Sequence, residues 1–146
     1  MADGDNLHLR LELVAPRGPV FEGDVEMVVV PAVTGEIGIL PRHAPLVAQL
    51  AIGQMRALTA EGQWLTFAVA EGFVKVQFNK VIVLADTAEE ASAIDVARAE
   101  KSVARALQRL EWLRSGTVPE DDIVDPYREQ LALKRARNRL KVAQIA

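Results

Sequence analysis

The chain has 146 residues, 50% of them apolar and 25% charged, with no cysteine. That is enough for one packed domain with an appendage, and the lack of thiols excludes a disulfide framework and thiolate chemistry. The net charge of −3 conceals an asymmetry: residues 1–90 hold 6 Lys/Arg against 12 Asp/Glu, whereas residues 91–146 hold 11 against 8, so the two parts are suited to different partners.

The acidic opening "MADGDN" is unlike a secretory signal, which is basic and then apolar. The longest apolar runs, "MVVVPAV" and "VIVLA", fall far short of the roughly 20 residues that cross a bilayer. The expectation is a cytoplasmic protein that meets a membrane only through partners.

Taken in chain order, "LHLRLEL" alternates strictly, with Leu7, Leu9, Leu11 and Leu13 on one side and His8, Arg10 and Glu12 on the other, which predicts a half-buried strand. Further β-rich runs follow at "VEMVVVPA", "EIGIL", "LVAQL", "QMRALT", "WLTFAVA", "FVKVQF" and "VIVLAD". Turn-forming stretches such as "PRGP", "TGE", "PRHAP" and "EG" separate them, so residues 5–86 read as an antiparallel sandwich or barrel.

After "DTAEE" the period changes to three and four. Val96, Ala99, Val103, Ala106, Leu107, Leu110 and Leu113 make one seam of a helix over 93–114, with Gly116 placed as its C-terminal cap and Pro119 beyond. Asp125-Pro126 predicts the start of a second helix, with a seam of Ala132, Leu133, Ala136, Leu140 and Ala143. The fold class is therefore α+β: an antiparallel β-sandwich at 1–87 followed by an antiparallel two-helix hairpin at 88–146.

Signatures of catalysis are missing. There is no phosphate loop, no GxGxxG, no HExxH and no GxSxG, so no catalytic residue is expected. His8 and His43 are too few and too isolated for a metal site; His8 reads as exposed and His43 as a local hydrogen-bonding or interface residue.

The helices carry more. On the first, Asp95, Arg98, Ser102, Arg105 and Arg109 fall within an arc of about 80 degrees that flanks the apolar seam. On the second, Arg135 and Arg139 are like charges four residues apart that border theirs. Closing the hairpin gathers guanidinium groups along one edge, a setting suited to a phosphate-bearing ligand. A plainer alternative stands beside it: Ser92 with Asp95 is the pattern of a capping box, and charges along amphipathic helices form a solvated face. A nucleic-acid module is a third reading, prompted by "LKRARNRLK" but opposed by the acidic chain and the shortage of aromatic platforms.

"GDVEMVVVPAVTGEIGILPRHAPLVAQL", "EGFVKV", "VLADTAEEASAID" and the tail segment "ALKRARNRL" together resemble the epsilon-subunit family of bacterial F-type ATP synthases over nearly the whole chain. The resemblance implies a non-catalytic rotor subunit that couples proton flow to ATP synthesis. Its implied partners are the gamma subunit and the ring of c subunits, through the sandwich, and the alpha and beta subunits when an extended tail blocks ATP hydrolysis. No nucleic acid is implied as a partner, and no cofactor is required. The implied location is the cytoplasmic face of the cell membrane, peripherally. Some members of the family bind ATP as a regulatory ligand in the folded hairpin through an I/L-D-x-x-R-A motif and nearby charges. Ile94, Asp95, Arg98 and Ala99 match that motif here, and Glu89, Arg105, Arg135 and Arg139 match the surrounding positions. One departure is the connection "RSGTVPEDDIVDPY", longer than the family's short turn.

Overall fold

The computed structural model describes residues 8–145. Seven strands, β1 (Leu9–Ala15), β2 (Gly18–Ala32), β3 (Gly35–Ile39), β4 (Leu46–Gln49), β5 (Gly53–Thr59), β6 (Trp64–Gln77) and β7 (Lys80–Glu90), precede two helices, α1 (Val96–Ser115) and α2 (Pro126–Ala143). The strands run β1-β7-β6-β5-β2-β3 in space, and β1 also pairs with β2, so five of them close on themselves. All pairings are antiparallel except β1 with β7. The alternation expected of the first strand holds: Leu9, Leu11 and Leu13 are fully buried, while Leu7 lies outside the described residues.

The core sits between the two layers, where Val25, Val28, Val30, Ile39, Met55, Phe67, Val74, Val81 and Val83 interlock. Phe21 meets Phe67 edge to face at 5.9 Å, the arrangement that ring quadrupoles favour.

One expected turn is absent as a turn. "WLTFAVA" and "FVKVQF" are one strand, bent at Glu71 and Gly72, which take φ of 59° and 112°. There β6 changes layers: residues before the bend pair with β5 and residues after it with β4, the manner in which a strand turns a sandwich corner. A side chain at Gly72 would place its Cβ 1.9 Å from the Leu84 carbonyl oxygen, so β7 passes too close for any other residue. "DTAEE" is likewise strand, because Thr87–Glu90 pair with Phe67–Ala70.

α1 starts later than expected. A 3-10 turn at Ala91–Ala93 contains Ser92, and Asp95, not Ser92, is the N-cap, its side chain accepting from the Arg98 amide at 3.0 Å. The Gly116 cap is observed at φ 71°, and Asp125 caps α2 by accepting from the Tyr127 amide, with Pro126 next. Of the expected seams, Ala99, Ala106 and Ala136 are buried, whereas Val96 and Leu107 are exposed.

Candidate functional site

The groove beside the helical hairpin is built by small residues. Ala99 and Ala106 of α1 and Ala136 of α2 are 0%, 2% and 3% exposed, so the helices approach closely and long side chains are displaced to the flanks. α2 lies against β5, β6 and the 3-10 turn. Among the described residues its buried apolar anchor is the cluster where Val142 joins Ala68, Ala91 and Ile94. Elsewhere the attachment is polar: Asn138 Nδ2 donates to the Gly53 carbonyl at 2.9 Å.

Two carboxylates of the sandwich hold two arginines of α2. Glu89, near the end of β7, places Oε1 2.6 Å from Arg139 Nε and accepts from Nη2 at 3.2 Å through Oε2. The Nε proton itself is buried and makes no hydrogen bond, because the nearby oxygen lies off its N–H direction; at that atom the attraction is Coulombic. One turn earlier, Arg135 Nη1 donates to Glu71 at 3.3 Å. Glu71 is the left-handed residue of the β6 corner, so the bend that changes layers also aims this carboxylate at the tail.

Three clefts lie along the groove, and Ser102 lines all of them. One, of about 520 Å³, is lined by Glu89, Arg98 and Arg139 together with Thr87 and the β1–β2 turn. A second, of about 250 Å³, is lined by Glu89, Arg135 and Arg139. The third, of about 570 Å³, holds Arg105 with Arg109, Arg128 and Glu129. Of the expected residues, Glu89, Arg98, Arg135 and Arg139 thus line the first two clefts and Arg105 the third. The other three line none of them: Ile94 and Ala99 are packing residues, 8% and 0% exposed, and Asp95 caps α1 through one oxygen. Among the described residues, Arg98 and Arg105 have no carboxylate partner, unlike Arg135 and Arg139.

Arg109 has a different role from its neighbours in the arc. Its guanidinium donates to Glu129 at 2.7 Å, to Asp122 at 3.4 Å and to the Ile123 carbonyl at 2.9 Å, stitching both helices to the long connection. Sequence reasoning also did not find Glu71, Thr87 or Val142: a glutamate in a presumed turn gives no sign that a strand bends there, and Val142 stands one residue off the assigned seam. His43 makes a local contact only, Nδ1 to the Ala44 carbonyl at 2.7 Å, and His8 is exposed beside Asp24.

A sandwich of this order followed by a helical pair defines the delta/epsilon class of ATP synthase chains. The family model "ATP synthase, Delta/Epsilon chain, beta-sandwich domain" matches residues 8–91, and "ATP synthase, Delta/Epsilon chain, long alpha-helix domain" matches residues 92–144. Within the class, the similar curated proteins are ATP synthase epsilon chains. That of Desulforamulus reducens is 42% identical over 135 residues, 92% of this chain and 96% of the relative. That of Bacillus cytotoxicus is 47% identical over the same shares. The chain belongs to the ATP synthase epsilon family and is a non-catalytic subunit of that complex. The fold also resembles a chain in the structure of the Euglena gracilis mitochondrial ATP synthase, at 19% identity and TM-score 0.74, over 96% of this chain and 82% of that one. A Tetrahymena thermophila mitochondrial ATP synthase chain, from a structure of the central stalk and c-ring, aligns at 12% identity and TM-score 0.51 over 94% of each chain. No described helix is long and apolar enough to cross a membrane.

Proposed function

We propose that the chain is the central-stalk subunit that couples rotation in the proton-translocating ATP synthase and carries a regulatory tail. In this reading the domains divide where β7 gives way to the 3-10 turn, at residues 90/91, because the expected division at 87/88 falls inside β7. The sandwich binds the gamma subunit and the c-ring, and the complex sits peripherally on the cytoplasmic face of the cell membrane. The exposed apolar residues of the sandwich suit that task. Phe73 and Leu84, 55% and 54% exposed, are cross-strand partners on one outer face. Leu40 and Phe78 stand at one end, where the Arg42 amide donates to Asn79 Oδ1. Such patches on a small domain mark contact surfaces.

The tail closes over the sandwich when it holds ATP and extends between the alpha and beta subunits, blocking hydrolysis, when it does not. One observation carries this reading: in the closed hairpin Glu89, Arg98, Arg135 and Arg139 line two clefts and Arg105 a third, all bordered by Ser102, while among the described residues the tail rests on the sandwich by a small apolar cluster at Val142 and a few polar contacts. Arginines gathered on closing repel one another, and phosphate relieves that repulsion, so ATP binds the closed state better and shifts the population toward it. Ile94, Asp95 and Ala99 then serve the site indirectly, by fixing where α1 begins and how near α2 approaches.

A second reading is favoured by the carboxylates already on Arg135 and Arg139: the groove is a structural clasp, and the subunit couples rotation without sensing nucleotide. Titration of the isolated chain with ATP and with GTP, read by calorimetry and by a fluorophore pair across α2 and β5, decides between them. The sensor reading expects ATP-dependent closure that Arg98→Ala and Arg135→Ala weaken; unchanged affinity in both variants overturns it.

A further inference from the structure

The link between β1 and β2 takes part in the groove although it lies some 70 residues from the nearest helix. Ala15 pairs with Gly18, leaving Pro16 and Arg17 as the turn. Prolines at 16 and 19 bracket Arg17, and Gly18 adopts φ of 125°. Proline rings fix the backbone on either side of the arginine, so this turn loses little freedom when Arg17 binds something.

Arg17, Arg98 and Arg139 line the cleft of about 520 Å³ from three separate elements, within the size range of small-molecule sites. Their charges are not equivalent. Arg139 is held by Glu89, whereas among the described residues the guanidinium groups of Arg17 and Arg98 make no ion pair or hydrogen bond. Pro19 and Val20 extend the wall with apolar surface beside the arginine.

We propose that Arg17 is a further anion-binding residue of this cleft, taking a phosphate group of a bound nucleotide together with Arg98. The inference rests on the nucleotide-sensing reading above and adds a consequence to it. With Arg17 on the sandwich and Arg98 on α1, the nucleotide bridges two parts of the molecule and clamps the tail down. α1 gains by this the tie to the sandwich that α2 already has through Glu71 and Glu89.

Calorimetric titration of the full-length chain with ATP tests it, using Arg17→Ala, Arg17→Lys, Arg98→Ala and, as a control of equal charge change, Arg137→Ala on an exposed position outside the clefts. Thermal melts establish that the variants are folded. Arg17→Ala is expected to weaken ATP about fivefold, the upper end for an exposed ion pair, with part of the loss restored by Arg17→Lys and none seen for Arg137→Ala. If Arg98→Ala weakens binding and Arg17→Ala does not, the role of Arg17 is overturned while the sensor reading stands. Equal losses in Arg17→Ala and Arg137→Ala reduce the effect to net charge and overturn it too. A wild-type chain that does not bind ATP removes both.

Discussion

The sandwich and the tail are held by different physics. The sandwich has a continuous apolar interior and closed ladders of backbone hydrogen bonds, with Leu9, Leu11, Leu13, Val28 and Phe67 at or below 1% exposure. The tail rests on it through Val142, one amide contact from Asn138 and the pairs Glu71–Arg135 and Glu89–Arg139. An apolar core fails cooperatively, whereas a few partly exposed polar contacts can be exchanged singly for water or for a ligand. That division suits the proposed function, in which the sandwich stays in place and the tail opens.

Four substitutions test that contrast. Phe67→Ala removes the largest fully buried side chain and is expected to cost about 3–5 kcal/mol of global stability, read as a lowered denaturant midpoint. Val142→Ala, in the buried apolar cluster under α2, is expected to cost about 2 kcal/mol, but of tail docking: hydrogen exchange should quicken in α2 while the β6 and β7 amides keep their protection. Equal acceleration in both would mean that the two parts unfold as one unit. Arg109→Ala unfastens the connection from the helices and is expected to cost about 1.5 kcal/mol, seen as faster exchange at residues 116–125 with the sandwich melting unaltered. Smallest is Glu71→Gln. Its pair with Arg135 is about two-fifths exposed, so about 0.5 kcal/mol of closure is at stake; a tail–sandwich fluorophore pair should open at lower salt than in the wild type. No change in that salt dependence would show that the pair does not hold the tail.

The amount legible in the sequence follows the same division. Strict alternation marked β1, and the Gly116 and Asp125-Pro126 caps marked the helix ends, because those signals are local. What failed was decided by partners distant in sequence. "EG" reads as a turn in isolation, but Glu71 and Gly72 stay within β6 because β4, β5 and β7 hold the strand on both sides. The last strand run expected from the sequence, "VIVLAD", stops at Asp86, yet β6 recruits Thr87–Glu90 as strand too. At the groove, helical spacing identified Arg98, Arg105, Arg135 and Arg139 as one edge. It could not show that Glu71 and Arg17 would be folded toward them, nor that Asp95 in place of Ser92 would cap α1. Charged side chains report their own helix face; their counter-ions come from wherever the sheet bends.

The alanines at 99, 106 and 136 bear on reversibility. A joint closed by leucines would lay bare a wide oily surface on opening, inviting the wrong neighbours in a crowded assembly. Methyl groups expose little, so at these three positions the opening proposed above would bare no wide adhesive surface.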